Sequence, residues 1–361
     1  MATAQQCRIL AIGQFPPPYH GFSIISQAFV DAIGGEREVV KINTAAPGQG
    51  SRAGHYLRRL GLLSQALARL LRERLRGPAT LYLPCEGDAG LVLTLALVAS
   101  GRLLGCPTVL HHHSFGYINA PSRLMRAVVR SGGHQLRHVF LCQIMQDAYV
   151  ARYGPVAQSW TQSNAAFVPV PAAPAAAARS ADGLVIGHLS NLTREKGLHT
   201  FLELFRAARS RGLPVRAVLA GPAAAAADAA AIAQTCGEFP GAFEYRGPLL
   251  GAQKDAFYQA IDVFVFPTDY ANEAQPVVLF EAQAHGNLVA SKLRGCIAAQ
   301  LGDDALAVTA DQNFLASTLP WLESLLARGA QLGARKTAVG LAFRSAHAQA
   351  QAQLRQLAAA L

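Results

Sequence analysis

The chain has 361 residues, enough for two domains of ordinary size, and 51% of it is hydrophobic. Lys and Arg total 32 against 22 Asp and Glu, a formal net charge of +10, which points to an anionic partner. Aromatic residues are only 7% and are not interleaved with the basic clusters, so a base-stacking surface for nucleic acid is excluded.

The N-terminus, MATAQQCRILAIGQF, has no charged-then-apolar leader and runs directly into a strand. Strands are expected at 8–15, 39–43, 81–84, 108–112 and 138–142. Helices alternate with them at 22–33, 56–76, 89–104, 122–135 and 145–153. This alternation argues for βαβ units and a parallel sheet. The longest apolar run, 90–100, is about half of a membrane span and reads as a buried helix. Residues 168–182, VPVPAAPAAAARSAD, are rich in Pro and Ala and lack strand or amphipathic patterning, as a linker does. The second half repeats the logic, with strands at 184–189, 215–220, 243–246, 263–266, 288–290 and 305–308. The Ala-rich piece 222–233 is expected to be helical, as is the whole tail from 320 to 361. The expected fold class is α/β, two doubly wound Rossmann-like domains with a cleft between them, and clefts of that kind are common ligand sites.

The chemistry concentrates at the ends of the expected strands. In the stretch 264–291, FVFPTDYANEAQPVVLFEAQAHGNLVAS, a strand is followed by a loop with Asp269, Asn272 and Glu273. A helix then starts near Gln275–Pro276 and carries Val277 and Glu281. Glu273 and Glu281 fit an acid/base pair. Their placement, one in the loop and one about two turns into the helix, favours two separate jobs. In GHLSNLTREKGLHTF, residues 187–201, Ser190 and Asn191 make a turn, and Arg194 and Lys196 precede Gly197 and a helix. Two cations at a helix N-terminus suit an anion. Arg246 sits in a further strand-end turn. Near the N-terminus, Gly21 opens a helix after the first strand, where free amides suit phosphate, although the spacing is neither GxGxxG nor a P-loop.

His111, His112 and His113 end a strand. Only His111 and His113 share a face there, and no carboxylate pattern completes a metal set, so one imidazole pointing into the site is the better reading. No DxD occurs that would hold a divalent cation on a diphosphate. The six cysteines lack metal-ligand spacing. The basic residues crowd two helical regions. Arg52, Arg58, Arg59, Arg69, Arg72, Arg74 and Arg76 lie among leucines, and Arg123, Arg126, Arg130 and Arg137 form the second group. Such helices either lie on an anionic membrane or pack with a solvated face.

The residues EAQPVVLFE, from Glu273 to Glu281, resemble the E-x7-E element of retaining glycosyltransferases of family 4, which have the GT-B fold. The wider text FPTDYANEAQPVVLFEAQAHGNLVASKLRGC resembles bacterial members that build surface polysaccharides, whether lipopolysaccharide or exopolysaccharide. GHLSNLTREKGL is similar to their diphosphate-binding turn, and FPPPYHGFS to their N-terminal glycine loop. The four motifs fall in the family's order along nearly the whole chain.

The resemblance implies an N-terminal acceptor-side domain over 1–168 and a linker over 169–182. A nucleotide-sugar-binding domain would span 183–335, and a C-terminal helix over 336–361 would return to the first domain. It implies transfer of a sugar, with retention and without metal or other cofactor, from a nucleotide-diphosphate donor to a hydroxyl of a polysaccharide or lipid-linked acceptor. Lys196 and Arg194 would neutralise the diphosphate, helped by Gly21 and the helix start at Gln275, Pro276 and Val277. Glu281 would bind the ribose, and Glu273 and His112 the transferred sugar. Ser190, Asn191 and Arg246 would line the donor. The implied setting is cytoplasmic, peripheral on the inner membrane, with an anionic membrane surface as a partner and no nucleic acid.

Two departures stand out. The family often has Gly-Arg where this chain has Gly187–His188, leaving the second phosphate cation to Arg194 or to none. Its usual Glu-Gly-Phe-Gly is here Glu273-Ala274-Gln275-Pro276, so one phosphate-facing amide is lost. Two other readings stay open. One is a different activity on the same fold, an epimerase or phosphorylase. The other is a non-catalytic nucleotide-sugar-binding scaffold on a membrane.

Overall fold

The computed structural model describes residues 8–17, 19, 21–35, 37–45, 52–171 and 183–361. The linker expected over 169–182 lies outside the described residues from position 172 onward. Contacts divide the described chain into two compact units, one running to Phe167 and including Gln349–Leu361, the other spanning Val168–Ala348.

The first unit carries β1 (Arg8–Gly13), α1 (Gly21–Gly34), β2 (Val39–Asn43), α2 (Arg52–Arg76), β3 (Ala79–Cys85) and α3 (Gly90–Leu103). It continues with β4 (Thr108–His112), α4 (Gly116–Asn119), α5 (Arg123–Gly132), β5 (Leu136–Phe140), α6 (Gln143–Tyr153) and β6 (Gln158–Thr161). The six strands are all parallel in the order β2-β1-β3-β4-β5-β6. β3 and β4 are buried at every position, as a sheet covered on both faces requires. β6, with the sequence QSWT, was not foreseen. It is short and partly exposed, so it shows neither apolar alternation nor a buried apolar run.

The second unit carries β7 (Leu184–Leu189), α7 (Leu198–Ser210), β8 (Val215–Ala220), α8 (Ala226–Glu238), β9 (Phe243–Tyr245) and α9 (Ala252–Gln259). Then come β10 (Val263–Phe266), α10 (Val277–Ala284), β11 (Leu288–Lys292), β12 (Leu306–Val308), α11 (Phe314–Ala327) and α12 (Leu332–Ala360). These strands are also parallel, in the order β12-β11-β10-β7-β8-β9. Alternate strand residues feed two cores. Leu184, Ile186, Val263 and Val265 pack with Phe201, Phe205 and Leu322 on one face. Val185, Phe264 and Phe266 pack with Phe257, Tyr258 and Leu279 on the other.

Two helix expectations shift. α8 begins at Ala226 rather than 222, because Pro222 is held in the loop by a hydrogen bond from Leu192 N to its carbonyl, 2.9 Å. The tail is not one helix. α11 starts at Phe314, where the Asn313 side chain accepts from Ala316 N at 3.0 Å, a helix cap. A tight turn at Gly329–Gln331 then separates it from α12. The unit boundary falls within α12, at Ala348/Gln349, rather than at 335/336. In the second unit, Lys336 Nζ donates to Ile261 O at 2.9 Å and meets Asp262 Oδ1 at 3.0 Å. In the first, Gln351 Nε2 donates to Ala166 O at 2.6 Å, and Arg37 Nη2 donates to Ala358 O at 2.6 Å.

Candidate functional site

Parallel strands bring their C-terminal ends to one edge of a sheet, so the loops after β7, β8, β9, β10 and β11 meet there. Two glycines make the close approaches. Gly197, at φ +91°, sits against Pro267 after β10, where an added Cβ would lie 2.6 Å from the Pro267 carbonyl oxygen. Gly221, at φ +125°, follows β8, and an added Cβ there would overlap the Ser190 carbonyl. Larger residues at either position would push these loops apart.

The β7 loop is thereby docked on the β10 loop. Asp269 N donates to Glu195 O at 2.8 Å. One residue on, Lys196 Nζ lies 2.6 Å from Glu273 Oε2 and 4.4 Å from the centre of the Tyr270 ring. Thr268 Oγ1 approaches the same carboxylate oxygen at 3.4 Å. Glu273 is nearly buried, with 8% exposure, while a quarter of the Lys196 side chain faces solvent. A partly desolvated, reachable ammonium is a strong ligand for an anion.

Glu281 is held separately. Lys254 Nζ binds its Oε1, and the Tyr258 hydroxyl donates to Oε2 at 2.7 Å. Lys254 and Tyr258 lie one turn apart on α9 and so share a face. The two glutamates therefore engage different partners on different elements. That geometry fits two jobs rather than one shared proton.

α10 starts at Val277, with Pro276 as its cap at φ −64°, ψ 122°. The amides of Val277 and Val278 are in the first turn, where no intrahelical acceptor exists. Gln275 is buried, and the Pro276 carbonyl accepts from Gln300 Nε2 at 3.0 Å, so the helix entrance is fixed.

The β7 turn answers the question left by Gly187–His188. His188 is fully buried, and its Nδ1 lies 2.8 Å from Val265 O. A carbonyl only accepts, so Nδ1 carries the proton. Burial, with Lys196 adding to it against that hydrogen bond, pushes the ring down to about 4. The neutral ring's Nε2 then accepts from the Ser190 hydroxyl at 2.9 Å. His188 is a support for Ser190, not a second cation. Asn191 and Arg194 are exposed on the same turn.

Two residues of the expected site set, Arg246 and His112, are engaged with other partners. Arg246 does not join the Lys196–Glu273 pair. Its guanidinium binds Glu244 at 2.8 and 3.1 Å and holds that carboxyl below the usual range. Residues i and i+2 share a strand face, which turns Arg246 back along the sheet. His112 does not present a free imidazole. It is fully buried, with Nδ1 2.8 Å from the Tyr117 hydroxyl and Nε2 2.9 Å from His138 Nδ1. Burial and the neighbouring His138 and His113 hold it well below the usual histidine range. The period-2 alternation of β4 puts His111 and His113 on the opposite face, their rings 4.0 Å apart. His111 is also fully buried, with its Nδ1 on the Tyr82 hydroxyl at 2.9 Å. His113, at the strand's end and partly exposed, sits edge-on to Phe22, one residue beyond Gly21, itself exposed as the first residue of α1.

The sequence reading also missed residues. Lys254 and Tyr258 carried only an i,i+4 spacing as a signal. Lys292, at the end of β11, grips Asp269 with Nζ–O distances of 2.7 and 2.8 Å, and Arg294 Nη2 lies 3.6 Å from the same carboxylate. Both follow directly on the stretch that was read most closely.

Residues 183–323, within the second unit, match the family described as Glycosyl transferases group 1. Nothing among curated protein sequences matches the chain. Similar solved structures cover almost the whole chain. HepE of Anabaena in complex with UDP-glucose is 13% identical with a TM-score of 0.74, over 98% of this chain and 100% of that one. Sucrose-phosphate synthase from Thermosynechococcus elongatus is 16% identical at 0.67, over 98% and 100%. A UDP-forming α,α-trehalose-phosphate synthase from Burkholderia xenovorans is 13% identical at 0.66, over 97% and 99%. At these identities the likeness establishes the fold, and the fold is GT-B.

Proposed function

We propose that the chain is a retaining glycosyltransferase that moves a sugar from a nucleotide-diphosphate donor to a hydroxyl of a polysaccharide or lipid-linked acceptor. The observation that carries this reading is the Lys196–Glu273 pair, 2.6 Å apart, in the loops that open α7 and α10. In this reading the donor's diphosphate draws Lys196 onto itself, with the amides of Val277 and Val278 facing the same charge. Glu273, released from the ammonium, accepts hydroxyls of the transferred sugar. Glu281, fixed by Lys254 and Tyr258, keeps lone pairs for the ribose hydroxyls. Within the first unit, the sugar-binding imidazole falls to His113.

The chemistry follows from charge. As the sugar–phosphate bond breaks, negative charge grows on the leaving diphosphate, and preorganised positive groups lower that barrier most. The departing phosphate oxygen takes the proton of the acceptor hydroxyl as the new bond forms on the same face, which retains the configuration. Lys196 supplies from the protein the neutralisation that a metal ion would bring, so the reaction is expected to need no metal. Donor hydrolysis and transfer, assayed with a panel of UDP-sugars with and without chelator, test the reading. Turnover that survives both Glu273→Ala and Lys196→Ala would sink the site.

The same reading places the chain at the inner face of a membrane. No helix among the described residues is long and apolar enough to cross a bilayer. α2 exposes Leu60, Leu71 and Leu75 beside Arg69, Arg72 and Arg76, the composition of a surface-lying helix. Cosedimentation with anionic liposomes is expected to weaken as salt rises.

A further inference from the structure

The Lys292–Asp269–Arg294 trio has no part in the reading above. It stands at the same sheet edge, but on the other flank of the loop. β10 lies between β7 and β11 in the sheet. Lys196 reaches Glu273 from the β7 side, whereas Lys292 and Arg294 come from the β11 side and meet Asp269. Among the described residues the trio's two cations share a single carboxylate.

The Arg294 guanidinium is rigidly mounted and poorly satisfied. Leu293 N donates to Val308 O at 2.8 Å, and Ile297 N donates to Arg294 O at 2.9 Å. Cys296 N donates to Ala274 O at 2.8 Å, docking this loop at the entrance to α10. Lys292 takes both oxygens of Asp269 at hydrogen-bond distance, while Arg294 stays at 3.6 Å, beyond it. Arg294 Nε is buried and has no acceptor among the described residues. A buried donor left without a partner is costly, and a planar guanidinium fork is built for carboxylate or phosphate. About a quarter of the Arg294 side chain faces solvent, although Nε itself is buried.

We propose that Arg294, assisted by Lys292, is an anion subsite that selects a substrate carrying a carboxylate or phosphate other than the donor's diphosphate. The inference rests on the glycosyltransferase reading. The anion belongs either to the transferred sugar, as in a uronic acid, or to the acceptor, as in a phosphorylated saccharide. A site built around a fixed cation rejects a neutral analogue because its charges are then left unpaired.

The test compares matched pairs on the full-length protein. UDP-hexoses and the corresponding UDP-uronates are the donor arm, read as hydrolysis. Glucose and glucose 6-phosphate, offered with each donor that is turned over, are the acceptor arm. The wild type is expected to favour the charged member of one arm at least tenfold in kcat/KM. Arg294→Met is expected to abolish that preference, and Arg294→Lys to keep part of it. The arm that shows the effect identifies which substrate bears the charge. Equal use of charged and neutral members in both arms overturns the subsite, as does a preference that survives Arg294→Met in protein whose Tm matches the wild type. If the wild type turns over no UDP-sugar, the glycosyltransferase reading falls and the subsite with it. If it turns over neutral and charged substrates alike, only the subsite falls.

Discussion

The two units share one architecture, a six-stranded parallel sheet with helices between the strands, yet they treat the carboxyl ends of their strands in opposite ways. In the second unit the edge carries charge. Lys196 faces Glu273, Lys254 faces Glu281 and Lys292 faces Asp269, each pair within hydrogen-bond distance and at least partly open to solvent. In the first unit the corresponding edge of β4 carries neutral rings. His111 and His112 are sealed among Tyr82, Tyr117, His138 and Phe140, and burial keeps them uncharged. The same fold therefore carries a charged edge in one unit and packed aromatic rings in the other. A polar residue at a strand end is a ligand in one context and a structural member in the other.

This contrast can be broken by substitution, and the largest effect is expected on the charged edge. Lys196→Ala should lower kcat by about 10²–10³-fold, the usual cost of removing one charge-stabilising donor. Unfolding curves should stay close to wild type, because the pair it breaks is partly solvated. Near-normal kcat would remove Lys196 from the reaction. Glu281→Ala should act on binding instead. It should raise the donor's KM by about 10- to 100-fold, the worth of one or two charged hydrogen bonds, with kcat much less affected. A fall in kcat at constant KM would contradict the ribose assignment.

The neutral edge should respond in stability. His112→Ala removes a buried ring and its two hydrogen bonds and should cost about 3 kcal/mol in urea unfolding. Turnover per folded molecule should stay near the wild-type value. His113→Ala should do the reverse, lowering turnover with little change in stability, and identical behaviour of the two variants would erase the distinction drawn along β4.

Acid sharpens the comparison further. A histidine buried neutral has a folded pKa below its unfolded value of about 6.5. Its stabilising contribution is complete above that value and is lost as pH falls towards the folded pKa, about 4 for His138. Among the described residues the first unit holds three such rings at and beside β4, His111, His112 and His138, while in the second His188 is of this kind. Tryptophan emission distinguishes the units, since Trp160 lies in β6 and Trp321 in α11. Between pH 6.5 and 4 the Trp160 signal should report unfolding first, and a simultaneous change would argue against histidine protonation as the cause. The smallest effect is expected at Arg246. Its exposed pair with Glu244 is worth little, so Arg246→Met should alter KM by less than about twofold.

Much of the fold was legible along the chain. β2, β4, β7, β8 and β10 have the bounds expected of them, and for the last four the reason is that buried parallel strands show as short apolar runs between turn signals. Glu273, Lys196 and Glu281 were legible for a related reason. Lys196 and Glu273 lie in loops between a strand and a helix and Glu281 lies within α10, so local pattern alone places them at the carboxyl edge of the sheet. Less legible were features fixed by long-range contacts. The start of α8 depends on Leu192 gripping Pro222, and the weak strand β6 forms by pairing with β5.

The sequence alone determined two parallel α/β sheets, the edge where ligands belong, and the two glutamates at that edge. Tertiary structure decided which side chains meet there. It put His112 and His113 on opposite faces of β4, made His188 a neutral support rather than a cation, and folded Arg246 back onto Glu244. It also brought Lys254, Lys292 and Arg294 to the site from elements that adjoin in space. The reason is that strand and helix periods are local properties readable from neighbouring residues. Side-chain pairing depends on which loops the sheet order brings together, and burial sets the charge each imidazole can hold.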